Sequence, residues 1–129
     1  ALSIVVGCES YTPDAGVVVT GKIVQGGQPI DSPRQPNGYG GVEVILVGAT
    51  HRASTYCNAD GTFEATYAGG GVAPGKYKVA VIAHGMGPTE DKLEGKLSET
   101  TTKIEVDVPE GKVGGKHDVG TIDVATHLK

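Results

Sequence analysis

Tyr56-Cys57-Asn58-Ala59-Asp60-Gly61-Thr62-Phe63-Glu64-Ala65-Thr66-Tyr67, followed shortly by Ala73-Pro74-Gly75-Lys76-Tyr77-Lys78-Val79-Ala80-Val81, is the stretch whose reading decides the fold. Its side chains alternate with a period of two. Phe63, Ala65 and Tyr67 fall on one face and Thr62, Glu64 and Thr66 on the other, and Tyr77, Val79 and Val81 repeat the pattern. Asn58-Ala59-Asp60-Gly61 supplies what a chain reversal needs: Gly tolerates positive φ, and Asn or Asp side chains bond their own backbone. The order is strand, tight turn, strand, Gly/Pro loop, strand. That is the start of a small antiparallel sandwich.

Working outward, residues 17–25 alternate as a first core strand, with Gly21 expected at a bulge or a close backbone approach. Gly26-Gly27-Gln28-Pro29 marks a turn, and residues 31–41 form an exposed loop rich in Pro, Gly, Asn and Gln. The next strand, 42–47, is nearly continuously apolar. Val42, Val44 and Leu46 are its inward set, which leaves Ile45 and Val47 to be covered on the opposite face by a neighbouring element, the N-terminal segment being one candidate. Further strands are expected at 52–57, 62–67 and 76–83. An irregular stretch at 84–98 follows, with a short helical turn near 90–97. The closing strands are 101–108, with Ile104, Val106 and Val108 inward, and 117–124, with Ile122 and Val124 inward. Seven strands at short spacing predict an all-β, seven-stranded Greek-key β-sandwich over residues 17–129, with an additional N-terminal strand drawn from the apolar segment and linker at 1–16.

Composition agrees. The 129 residues suit one domain, and 21 Gly with no Trp and a single Phe suit many turns between short strands. Eleven basic against fifteen acidic residues give a net charge of −4, with both signs interspersed. No basic stripe with interleaved aromatics exists, which argues against nucleic acid as a partner. No apolar run reaches the roughly 18–20 residues of a membrane span.

Chemistry-bearing patterns are weak. Gly70-Gly71-Val72-Ala73-Pro74-Gly75-Lys76 approaches a phosphate-binding loop, but Tyr77 stands where the Ser or Thr belongs and a strand follows where a helix is required. Asn58, Asp60 and Glu64 supply only a fragment of a calcium loop. His51, His84, His117 and His127 are scattered without metal-ligand spacing, and Cys57 lies in a strand with no obvious base. The expectation is no enzyme activity, no cofactor and no metal. Tyr39, in the Gly-rich loop, is the candidate for a glycan or protein contact.

The N-terminus carries the other clue. Ala1-Leu2-Ser3-Ile4-Val5-Val6-Gly7-Cys8 looks like the tail of a bacterial lipoprotein signal peptide, with Cys8 as the acylated residue. Cys8 and Cys57 leave several fates open: a bridge between them, a lipid at Cys8, or free thiols. Leu2, Ile4, Val5 and Val6 have high β-propensity and could complete a sheet edge, within this molecule or in a neighbouring copy.

Val19-Thr20-Gly21-Lys22-Ile23, Gly27-Gln28-Pro29-Ile30, Gly41-Val42-Glu43-Val44, Ala59-Asp60-Gly61-Thr62-Phe63 and Pro74-Gly75-Lys76-Tyr77-Lys78-Val79 together resemble the carboxypeptidase regulatory-like domains, which share the transthyretin-like, or prealbumin-like, sandwich. The closing segment, with Asp118-Val119-Gly120-Thr121-Ile122-Asp123-Val124, is similar to that of small envelope lipoproteins of planctomycete-type bacteria. The resemblance implies a non-catalytic accessory, adhesive or structural module. The Tyr-Arg-Gly-Ser ending of the fold's hydrolase branch is absent. The expected role is a structural subunit of the cell envelope or an extracellular assembly, self-associating into a homo-oligomer or polymer by edge-strand pairing through the N-terminal segment, with strands 17–24 or 42–47 as acceptors. The alternative is a lipid-anchored accessory binding module whose loops contact glycan or another surface protein. Both place the protein outside the cytoplasm.

Overall fold

The computed structural model describes residues 16–36, 38–49, 51–66, 71–86, 90–110 and 115–128. Seven strands follow in chain order: β1 (Val18–Val24), β2 (Val42–Val47), β3 (Arg52–Tyr56), β4 (Thr62–Ala65), β5 (Gly75–Ala83), β6 (Glu105–Val108) and β7 (Lys116–Asp123), with a closing 3-10 turn at Val124–His127. They build two sheets, ordered β4-β1-β7 and β3-β2-β5-β6. The sandwich expected from the alternation is what forms. The expected additional N-terminal strand lies outside the described residues.

The inward sets are those the period of two assigns. Val44, Leu46, Val79 and Val81 of the larger sheet share the core with Val19, Ile23, Phe63, Ala65 and Ile122 of the smaller one. Burying each of these larger aliphatic or aromatic side chains contributes about 1.5–3 kcal/mol. The turn at 58–61 is built as its residues dictate. Gly61 donates to the Asn58 carbonyl at 2.9 Å, and Asp60 Oδ1 accepts from the Thr62 N–H and hydroxyl. Gly61 has φ +91°, and an added Cβ would stand 2.5 Å from the Ile23 carbonyl oxygen.

Pairing departs from a purely antiparallel scheme in one place. β7 runs parallel to β1, with Val18 opposite Lys116 and Val24 opposite Asp123. A parallel pair needs a long crossover, which the chain makes by passing through the other sheet. The register shifts between Thr20 and Lys22, so the extra residue sits on β7 at Val119–Gly120, opposite Gly21. Gly21 is nonetheless a close approach: an added Cβ would lie 2.8 Å from the Phe63 ring and 2.9 Å from Val119.

Three expected spans are corrected. Residues 101–104 do not belong to β6. The buried Thr102 side chain docks there on β5 instead, its hydroxyl donating to the Val79 carbonyl at 2.6 Å. The helical turn expected near 90–97 is a series of tight turns organised by Asp91. Its carboxylate accepts from the backbone N–H groups of Ala83, Leu93 and Gly95. The last strand stops at Asp123, where Asp123 Oδ1 accepts from the Ala125 N–H at 3.0 Å and from the Gly26 N–H at 2.9 Å.

Of the two outer residues that the sequence left to be covered, Ile45 is buried and Val47 half-buried. Ile45 is 1% exposed and Ala80 0%. Val81 donates to the Leu97 carbonyl and Val79 to the Ile104 carbonyl, so residues 98–103 leave the line beside β5. From that excursion Glu99 reaches Arg52 on β3, with two N–H···O contacts at 2.7 and 2.8 Å. Because β2 lies between β3 and β5, this pair spans the strand that carries Ile45 and Val47.

β1 and β2 each have two neighbours, so neither offers a free edge. This corrects the expectation that 17–24 or 42–47 accept an added strand. Among the described residues the strands paired on one side only are β3, β4, β6 and β7.

Candidate functional site

Two loops meet at one end of the larger sheet. The loop that precedes β2 and the one that follows β5 are laced together by main-chain bonds. Gly41 donates to Ser32, His84 to Gly41, and Gly40 to Gly85, at 2.8, 2.9 and 3.2 Å. The buried Ser32 hydroxyl donates to the His84 carbonyl. Gly40 is required at this crossing. It has φ +79°, and a Cβ would sit 2.1 Å from the Pro33 carbonyl oxygen.

The side chains brought together there are aromatic, cationic and thioether. Tyr56 is the last residue of β3, on the outer face, and Gly41 lies close against its ring. The Arg34 guanidinium stacks over that ring, 4.0 Å from its centroid. The His84 ring stands 5.8 Å away at 36°. Tyr39 and Met86 flank the Gly40–Gly85 hydrogen bond in sequence. Among the described residues the large hydrophobic side chains left exposed are Tyr39 at 39%, Tyr56 at 39% and Met86 at 60%. All three belong to this one end.

Behind the patch Glu43 holds two partners. Its Oε1 meets His84 Nε2 at 2.9 Å, and its Oε2 accepts from the Ser54 hydroxyl. Ser, His and carboxylate are therefore in contact, but in the wrong order for a nucleophile. The carboxylate sits in the middle, so no imidazole takes the serine proton. The arrangement orients His84 and does not activate Ser54.

Beside the patch opens a cleft of about 490 Å³ between the ends of the two sheets. Ile23, Ile30 and Val42 form apolar wall, and Asp31, Arg34 and Asn58 bring polar groups to it. Cys57 also faces this cleft as a free thiol, half-buried, and burial pushes its pKa up to about 12, with Asp60 adding to the shift. A thiol held so firmly protonated is a poor nucleophile and a poor metal ligand. Among the described residues no three His, Cys, Asp or Glu side chains are grouped so as to hold a metal.

Of the residues singled out in the sequence, Tyr39 lies in the patch and Cys57 in the cleft beside it. Leu2, Ile4, Val5, Val6 and Cys8 fall outside the described residues. The resembled phosphate loop is not one, since Gly75 opens β5 and no helix follows. Sequence reasoning missed Arg34, Tyr56, Glu43, His84 and Met86. They are scattered over more than fifty positions, and only strand pairing unites them. One local signal was available: Tyr56 is an aromatic at a strand end whose alternation points it outward, away from Ala53.

No protein-family model and no curated protein matches the chain. Among solved structures it is similar to one described as a C-terminal interface mutant of a type II cohesin–X-dockerin complex from Acetivibrio cellulolyticus. The identity is 22%, the TM-score 0.40, and the match covers 82% of this chain and 53% of that one. The chain thus spans about half the length of that neighbour.

Proposed function

We propose that the chain is a non-catalytic binding module of the cell envelope or the extracellular space, contacting a partner protein through the patch of Tyr39, Tyr56, Met86, Arg34 and His84. The observation that carries this reading is the gathering of the exposed Tyr and Met side chains at one end, beside an arginine. Tyr, Met and Arg are enriched where proteins bind one another, and a Tyr and an Arg held by packing lose little entropy on contact. A protein fits better than a glycan, because Arg34 already occupies one face of the Tyr56 ring on which a sugar would stack. The resemblance to carboxypeptidase regulatory-like domains supports an accessory role. The lipobox-like Val5-Val6-Gly7-Cys8 supports placement outside the cytoplasm, anchored by a lipid at Cys8.

The test is capture from the envelope and secreted fractions of the producing organism on immobilised protein. A Tyr39→Ser/Met86→Ser variant should lose the captured partner, whereas Lys116→Ser, on β7, should keep it. Equal capture by both variants would remove the patch from the account.

Self-association through Leu2, Ile4, Val5 and Val6 is the second reading, favoured by the open edge of β7. This strand has eight residues and, among the described residues, pairs only with β1. Deleting residues 1–15 should then convert an oligomer to a monomer in light scattering. A monomeric full-length chain ends that reading.

A further inference from the structure

The cleft beside the patch has a chemistry of its own, and we propose that it binds the free C-terminal end of an extended peptide with an apolar last side chain, Arg34 anchoring the carboxylate. This deepens the binding-module reading and rests on it for the expectation that the ligand is protein.

Arg34 is the first argument. Among the described residues the ion pairs are Arg52–Glu99, His84–Glu43, Lys96–Glu94 and Lys116–Glu64, and Arg34 is in none of them. Its guanidinium is nevertheless held in place, stacked on Tyr56. The ring contact engages the guanidinium's π-face chemistry and not its N–H donors, which are the groups that take a carboxylate bidentately. A cation held in position on the wall of a cleft, with no ion-pair partner among the described residues, points to an anionic ligand.

The walls narrow the class. A cleft of about 490 Å³ is within the range of ligand pockets, and the half-buried Ile30, backed by the buried Ile23 and Val42, offers apolar surface for one side chain. Asp31 and Asn58 place acceptors on the same walls. Asn58 spends its amide N–H on Thr62 Oγ1, which leaves its carbonyl oxygen turned to other donors. A fatty acid would fill the apolar part but bury these acceptors without a donor, which is costly. A peptide end brings backbone N–H groups along with its carboxylate.

The strand beside the cleft supplies the approach. Cys57 donates to the Val42 carbonyl, so alternation turns the backbone groups of Ser54 and Tyr56 toward the side of β3 that no strand occupies among the described residues. A chain added there in the parallel sense would run toward the cleft and end in it.

Titrating the full chain with acetyl-Gly-Ser-Val-Leu as free acid and as C-terminal amide, followed by fluorescence anisotropy of a labelled analogue, tests this. The acid should bind, and the amide should bind at least about tenfold more weakly, because a charge-assisted bidentate contact is lost. Arg34→Gln should abolish that discrimination, and Arg34→Lys should restore part of it. Both substitutions are at an exposed position and leave the core intact. Lys116→Ser, on β7, should leave acid-over-amide preference unchanged, and because the patch is tested by partner capture, failure of the patch and failure of the cleft are read separately. Equal binding of acid and amide, binding of neither at millimolar concentration, or tighter binding of decanoate than of the peptide acid would each overturn the proposal.

Discussion

Gly21 occupies a place where a methyl group has no room. Its Cβ would meet the Phe63 ring at 2.8 Å on one side and Val119 at 2.9 Å on the other, inside the smaller sheet. Gly21→Ala should therefore destabilise by about 1–3 kcal/mol, the usual range for overpacking. A urea titration would show it as a lower midpoint at unchanged slope, and an unmoved midpoint would mean that Phe63 gives way freely. Thr102 makes the complementary case for a buried hydroxyl. At 2% exposure it donates to the Val79 carbonyl and takes the Ile104 N–H at 3.3 Å. Thr102→Val keeps the volume and removes both bonds, so a loss of about 1–3 kcal/mol is expected from the same measurement. The two residues differ in legibility. Gly21 interrupts an alternating strand and announces a close approach, although its own sequence cannot show that the bulge lies on β7. Thr102 looks like one more polar residue of an alternating strand, because nothing local reveals that Val79 waits opposite it.

At the scale of elements, the strands were legible wherever one face is buried and the other solvated. β2 begins and ends at the expected residues, and Phe63, Ala65, Tyr77, Val79 and Val81 are buried as alternation requires. Legibility failed where side chains replace backbone pairing. The Asp91 carboxylate, collecting three N–H groups, turns residues that look weakly helical into successive turns. The edges failed too, since local pattern does not say which strand lies inside a sheet, and β1 and β2 both do. The candidate site was legible only through Tyr39, because Arg34, Tyr56 and His84 meet by pairing across the sheet and between loops. The Arg52–Glu99 pair separates local from global order. Both side chains are well exposed, at 53% and 35%, so the pair should contribute no more than about 1 kcal/mol. Arg52→Ala should leave the urea midpoint nearly unchanged while amide exchange at Thr101 and Thr102 quickens, since their N–H groups bond Ser98 within the excursion that Glu99 pins. Unaltered exchange would show that the turn holds itself.

The whole molecule should be most stable in a window set by groups at both ends of the pH scale. Asp60, Asp123 and Glu99 are held below their ordinary values of 3.8, 3.8 and 4.5. For Asp60 the Thr62 hydroxyl bond is the main cause, for Asp123 the Gly26 and Ala125 N–H groups, and for Glu99 the Arg52 fork. Their charged forms are favoured by folding, so this stabilisation is complete above the ordinary carboxylate range and is lost as pH falls through it. At the other end, burial raises Cys57 from 9.0 to about 12 and raises Tyr77 above 10.0. Folding favours their neutral forms. Below pH 9 both states are protonated and nothing is lost, but from about 9 upward the unfolded chain ionises first and stability declines toward 12. Urea midpoints measured across pH should trace a plateau with two falling limbs. Cys57→Ser, whose hydroxyl does not ionise in this range, should remove the earliest part of the alkaline fall and leave the acid limb unchanged. An alkaline limb identical to that of the parent chain would mean that the Cys57 thiolate is solvated in the cleft, and that water reaches further between the sheets than the packing of Ile23 and Val42 indicates.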